Sequence, residues 1–152
     1  MTKAKISGNY VNSMLVKTLA LRSGYDEAVI LDPQGYVAEC TGENIFLVRK
    51  GKLITPPLAT VLEGITRDSV MTIAEGMGIV CEERMITRDQ LYIADEVFIT
   101  GTAAEIVGVR MVDTRQVGAG RVGPITRAIS KTLTDTVHGS GKFSEGWLDY
   151  ID

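Results

Sequence analysis

Apolar residues in this chain change their spacing several times, and each change predicts a different element. Val11, Met14, Leu15 and Leu19 recur at three- and four-residue intervals, which predicts a helix over 9–22 ending before Gly24. Short apolar runs separated by turn residues follow. Residues 27–31 and 36–40 flank Asp32-Pro33-Gln34-Gly35, and residues 44–49 and 52–55 flank Lys50-Gly51, so two strand pairs are predicted, the second with a tight hairpin turn. Helical spacing returns over 66–75 and stops near Gly76 and Gly78. A strand over 79–85 is predicted next, then a short helix capped by Thr87 and running through Tyr92. Strands over 96–100 and within 106–112 follow, and Pro124 in a first helical turn opens a last helix to Val137. Strands come in pairs mixed with helices rather than in strict alternation. That order predicts an α+β fold, a mixed sheet or pseudo-barrel with helices packed outside, in one domain over 1–152.

Composition narrows the class. With 45% hydrophobic and 23% charged residues, the chain has the balance of a globular domain that buries a core. Its net charge of -3 offers no electrostatic footprint for nucleic acid or an anionic membrane, and no apolar run reaches the roughly 18 residues that span a bilayer. Cys40 and Cys81 lack the spacing of a zinc site and are too few for a disulfide scaffold, so both are expected as buried reduced thiols of a cytoplasmic protein. Asp89, Asp95 and Glu96 form no metal pattern. Met71, Met77 and Met85 read as core or near-core packing, His138 as a capping or exposed residue near the helix end and Trp147 as an anchor for the tail. Glycine is abundant, 16 residues against a usual share of about 7%, and many sit in short polar clusters where a loop could approach a ligand closely.

Four of these clusters could carry chemistry. Lys5-Ile6-Ser7-Gly8-Asn9-Tyr10 offers an amine beside small residues that let the chain pass near a ring; a lysine near a terminus is otherwise a solvated charge. Glu39 ends an apolar strand, either as an edge charge or as a carboxylate facing a cationic ring nitrogen. Gly64-Ile65-Thr66 opens a helix, where backbone amides and a hydroxyl form a natural anion site, although Thr66 could also serve only the helix start. Gly101-Thr102-Ala103-Ala104-Glu105 is a second small-residue loop with a hydroxyl, and by itself it says little.

Taken together, these segments resemble the branched-chain aminotransferases of fold type IV. Lys5-x-Ser-Gly-Asn-Tyr10, Gly35-Tyr-Val-Ala-Glu39, Gly42-Glu-Asn44, Thr55-Pro-Pro57, Gly64-Ile-Thr-Arg-Asp68, Ala94-Asp-Glu-Val-Phe98 and Gly101-Thr-Ala-Ala-Glu105 occur in order at family-like spacings. Gly120-x-x-Gly-Pro-x-Thr126 and Gly146-Trp147 continue the likeness through the tail. The resemblance implies pyridoxal 5'-phosphate as cofactor and reversible transfer of the amino group of leucine, isoleucine or valine to 2-oxoglutarate, in branched-chain amino-acid biosynthesis. It casts Lys5 as the catalytic Schiff-base lysine, Tyr10 as partner of the cofactor's phenolic oxygen, and Glu39 as partner of its ring nitrogen. Ile65, Thr66 and Thr102 fall at the phosphate, and Gly101, Thr102 and Ala103 fall where the backbone meets the substrate carboxylate. Glu43 and Asn44 fall in the motif as structural supports. Thr66 and Thr102 are therefore expected to line one cavity with Lys5 and Glu39.

Family members carry a smaller amino-terminal domain before this lysine. Met1 stands four residues ahead of Lys5, so the expectation is the larger, cofactor-holding domain alone, with the small domain absent. Small molecules, amino acids and 2-oxo acids, are the implied partners, with no nucleic acid and no membrane, together with a homodimer or larger homo-oligomer of the full-length form. Within the same fold, D-amino-acid aminotransferase and aminodeoxychorismate lyase are the alternatives, and outside it an inactive assembly module.

Overall fold

A computed structural model describes residues 3–151. A 3-10 turn, Ser7–Asn9, leads into α1 (Tyr10–Arg22), and the chain leaves that helix through Gly24 at a φ of 83°. Strands β1 (Val29–Leu31) and β2 (Val37–Cys40) pair antiparallel. Their turn is built by Asp32, whose Oδ1 accepts the N–H groups of Gln34 and Tyr36, both at 2.9 Å. Strands β3 (Asn44–Arg49) and β4 (Lys52–Thr55) are joined by Lys50 and Gly51, both left-handed at φ 51° and 76°. Two successive positive φ angles give the turn whose twist matches a β-hairpin. Lys50 tolerates this conformation because Asp95 accepts its N–H at 2.7 Å and also pairs with Arg49 at 2.8 Å.

Helix α2 (Ile65–Gly76) carries the chain from β4 to β5 (Cys81–Glu83), which lies parallel to β4. The expected strand over 79–85 shrinks to three residues, an edge strand whose only neighbour in the sheet is β4. Buried Arg67 of α2 fastens this edge, donating to the Pro56 carbonyl at 3.1 Å and pairing with Glu83 at 2.9 Å. Helix α3 (Arg88–Tyr92) starts at a capping box in which the Thr87 side chain accepts from the backbone of Gln90 while Gln90 accepts the Thr87 N–H. Strands β6 (Glu96–Gly101) and β7 (Glu105–Val109) complete a five-stranded mixed sheet of order β5-β4-β3-β6-β7. A small hairpin, β8 (Met111–Val112) with β9 (Arg115–Gln116), precedes α4 (Pro124–Val137) and α5 (Ser144–Trp147). Both β9 and α5 escape the sequence pattern, since two- and four-residue elements are too short to show a period.

Alternation along β3 and β6 divides the core in two. Phe46, Val48, Leu53 and Phe98 face α2 and α4 and pack on Val70, Ile73, Ala74, Ile129 and Leu133. Phe46 and Phe98 are register partners and stack with ring centroids 5.1 Å apart. Ile45, Leu47, Ile54, Val97 and Ile99 face the other way, where Val37 and Cys40 of the first hairpin close over them together with Ile86, Leu91 and Val117. Hairpin and sheet thus make the pseudo-barrel, with helices outside. Each fully buried Phe, Leu or Ile contributes roughly 1.5–3 kcal/mol. Helix α4 is held from below by Glu96, whose two carboxylate oxygens accept the N–H groups of Ile125 and Thr126 at 3.0 and 2.8 Å. Its first residue is Pro124, as the sequence implied.

Three expectations change. The apolar repeat of α1 does not reach the core: Val11, Met14, Leu15 and Leu19 are 57–67% exposed, and Ala20 alone in that helix is buried. Exposed polar residues, Asn12 and Thr18 among them, share the helix surface, and the helix is tied down by Lys17, which bonds the Asp26 carbonyl at 2.7 Å and pairs with Glu27. Met77 and Met85 are exposed because they fall at a helix end and beyond an edge strand, whereas Met71 packs on the helix-side core. Cys40 is buried but Cys81 only partly so, and both are free thiols. His138 ends α4, and Trp147 stacks on Phe143 at 5.0 Å while remaining 39% exposed. Among the described residues no helix is long and apolar enough to cross a membrane.

Candidate active site

Sheet register decides which loops meet. Asn44 opens β3 opposite Thr100, and Gly101 pairs with Glu105, so the loop entering β3 and the turn leaving β6 share one edge of the sheet. A Cβ on Gly101 would lie 3.5 Å from Glu43 Cγ and 3.6 Å from the Gly42 carbonyl oxygen, so the two loops are in direct contact. The loop before α2 reaches the same edge through Leu62, and Tyr10 reaches it from the start of α1. These segments enclose a shallow cleft lined by Tyr10, Glu39, Thr41, Gly42, Glu43, Asn44 and Leu62.

Lys5 and Tyr10 meet at the start of α1. Lys5 Nζ donates to the Tyr10 hydroxyl at 2.8 Å and lies 5.2 Å from its ring centroid. Glu39 is half-buried on β2, and its Oε2 accepts the Leu62 N–H at 3.0 Å. Burial raises its carboxyl above the ordinary range; the Leu62 N–H and the charges of Lys5 and Lys3 pull it back in part. A cation placed in the cleft would pull it further. Gly64 enters α2 with extended backbone and no side chain caps the helix, which leaves the amides of its first turn directed outward beside Thr66. An amine, a phenol, a carboxylate and an uncapped helix start on one edge fit a cationic ring that carries a phosphate tail.

The expectation of one cavity shared by Lys5, Glu39, Thr66 and Thr102 is not what the fold shows. Glu39 and Tyr10 line the cleft, whereas Lys5 meets it through the Tyr10 hydroxyl. Thr66 is half-buried at the start of α2, beyond Leu62, and Ile65 is 81% exposed. Thr102 and Ala103 are exposed on the β6–β7 turn, next to Gly101. Ile65, Thr102 and Ala103 are exposed and are not among the residues that line the cleft.

Sequence reading missed two contributors. Leu62 acts through its backbone amide, which leaves no trace in residue type. Glu27 assembles the other flank: its Oε1 accepts the Thr41 hydroxyl at 2.5 Å and the Ala28 N–H at 2.8 Å, and its Oε2 pairs with Lys17. Burial works to raise Glu27, but Lys17, Thr41 and the Ala28 amide outweigh it and hold the group below its usual range. Glu43 goes the other way, raised by burial and then by the charge of Glu27, against the Gly42 N–H and Lys17. A carboxyl raised on folding contributes stability while it is protonated and loses it as pH rises through the raised value. Glu43→Gln stays neutral, so its melting temperature should vary less than that of wild type from the ordinary carboxylate range upward. Parallel curves for the two proteins would show that Glu43 titrates like a solvated carboxylate.

Comparison with known proteins identifies the family. A family model described as amino-transferase class IV matches residues 2–112, from the lysine cluster through the β8 strand. The chain belongs to the class IV aminotransferases. A branched-chain-amino-acid aminotransferase of Pseudomonas aeruginosa is 49% identical over 151 residues, covering 99% of this chain and 49% of that protein. The branched-chain amino acid aminotransferase from Escherichia coli superposes with a TM-score of 0.96 at 46% identity, covering 100% of this chain and 52% of that one. The enzyme of Thermobaculum terrenum in its PLP form gives a TM-score of 0.94 at 43% identity, over 97% of this chain and 49% of that one. The chain thus spans about half the length of the relatives it matches, and that half carries the class IV fold from end to end.

Proposed function

We propose that this chain is the larger, pyridoxal-phosphate-holding domain of a branched-chain aminotransferase, passing the amino group of leucine, isoleucine or valine to 2-oxoglutarate and back. The observation that carries the reading is the meeting of the Lys5–Tyr10 pair, the half-buried Glu39 and the uncapped start of α2 on one edge of the sheet. When bound, pyridoxal phosphate supplies an electron sink conjugated to the substrate α carbon. Lys5 would hold the cofactor covalently through Nζ, and, once the incoming substrate amine displaces that nitrogen, the freed amine would take up the proton removed from the α carbon. The Tyr10 hydroxyl, already bonded to Nζ, orients that amine and holds negative charge on the phenolic oxygen. Glu39 presents a carboxylate to the ring nitrogen and keeps its proton in place. Thr66, the Ile65 amide and Thr102 hold the phosphate, and the Gly101–Ala103 backbone receives the substrate carboxylate.

Free Cys40 and Cys81 support a cytoplasmic working place. The full-length form works as a homodimer or larger homo-oligomer, and the exposed apolar stripe of α1 supports that assembly. The test is an absorbance titration with pyridoxal phosphate, followed by an assay with leucine and 2-oxoglutarate, on the chain alone and together with the remaining length its relatives have. A Lys5-dependent visible band and turnover are expected; cofactor that stays spectrally free in both preparations would end the reading.

Thr66→Ala should weaken pyridoxal phosphate binding by about 1–3 kcal/mol, the range for a hydrogen bond to a charged group. Titration of the cofactor band measures this directly. Equal affinity in the two proteins would mean that Thr66 serves the helix and not the phosphate.

A further inference from the structure

Among the described residues, Asn44 is the one polar side chain that touches both the partner of Glu39 and the entry to α2. It is 6% exposed and is the first residue of β3, so its backbone is part of the central sheet. Its Nδ2 donates to the Leu62 carbonyl at 3.0 Å. The N–H of that same residue, Leu62, donates to Glu39 Oε2 at 3.0 Å. Asn44 Oδ1 lies against Gly64, so closely that a Cβ there would sit 2.1 Å from it. Gly64 in turn donates its N–H to the Leu62 carbonyl at 2.9 Å and accepts the Asp68 N–H at 3.1 Å as α2 begins. Leu62 is therefore gripped at both polar ends, by a carboxylate on β2 and an amide on β3. Gly64 is glycine because only a residue without Cβ fits beneath Asn44.

Resting on the function proposed above, we infer that Asn44 is a positioning residue: it clamps the Leu62–Gly64 segment to the sheet and so sets both the aim of Glu39 and its spacing from the start of α2. With Oε2 committed to Leu62, Glu39 has its other oxygen for the cleft. Ring nitrogen and phosphate arm belong to one planar pyridine ring, so the carboxylate and the helix start must keep a bounded separation. Asn44 stands between them and belongs to the sheet, the least yielding element present.

The test follows the Glu39 carboxyl by carbon-detected NMR titration of the purified chain without cofactor, then measures pyridoxal phosphate affinity. Asn44→Ala removes the clamp, and Gly64→Ala displaces it from the other side. In both, a Leu62 amide no longer held to Glu39 should let that carboxyl titrate higher, by about half a pH unit or more. Cofactor affinity should fall roughly tenfold, about one lost charged hydrogen bond. The double variant should lose less stability than the two single losses added, because the clash disappears with Asn44. A Glu39 titration unchanged in both single variants, with core resonances intact, overturns the positioning role. If wild type shows no Lys5-dependent absorbance with pyridoxal phosphate, the cofactor role of the clamp is overturned, while the Glu39 titration still decides whether Asn44 positions the carboxylate.

Discussion

Lys5→Ala is expected to abolish covalent attachment of pyridoxal phosphate and to reduce transamination between leucine and 2-oxoglutarate to background. Two roles end together in this variant, the covalent hold and the proton transfer, and the second alone typically accounts for a factor of about 10²–10⁴. The neighbouring lysines show why Lys5 is the residue to test. Lys3 is engaged by Glu63 at 2.7 Å and by the Leu58 carbonyl, and Lys17 by Glu27 and the Asp26 carbonyl. Lys5 Nζ meets the Tyr10 hydroxyl, and among the described residues it pairs with no carboxylate. Borohydride reduction of the cofactor-loaded chain followed by peptide mapping should therefore place the label on Lys5. A label on Lys3 or Lys17 would reassign the lysine, and with it the function of the cleft.

Glu39→Gln separates binding from chemistry. Its amide is isosteric and can still accept the Leu62 N–H, so the cofactor should attach to Lys5 as before. Proton abstraction from the substrate should nevertheless slow by several orders of magnitude. A neutral amide no longer holds a proton on the ring nitrogen, and electrostatic and acid–base contributions of this kind are each worth about a hundredfold or more. Substrate kinetic isotope effects and single-turnover rates would locate the loss in that step. Near-normal turnover would reduce Glu39 to a strand-end charge. The same variant carries a pH signature. Burial raises the wild-type carboxyl, so its contribution to stability is present at low pH and lost as pH rises through the raised value; Glu39→Gln should flatten that dependence.

Much of the scaffold is legible from local signals alone. The apolar runs of β3 and β6, the Lys50-Gly51 turn, the Thr87 cap and Pro124 at the head of α4 all act within a few residues of themselves. Sequence therefore determined these elements, and it determined the residue types of Lys5, Tyr10, Glu39 and Thr66, whose motif spacings carry the family likeness. It could not determine which residues meet. Glu96 holds the start of α4 across about thirty residues of chain, and Arg67 at the start of α2 pairs with Glu83 at the far end of the next strand. Periodicity placed Val11, Met14, Leu15 and Leu19 on a helix but said nothing of what covers them, and among the described residues they stay largely exposed. At the cleft, Glu39 is aimed by the backbone amide of Leu62, and Leu62 by Asn44 and Gly64. Those contacts depend on the register of β3 with β6 and of β6 with β7, and on the β1–β2 hairpin packing against that sheet, so that loops from four parts of the chain end on one edge. A main-chain donor has no residue type, and a register is a property of strand pairs, so only the assembled sheet could show them.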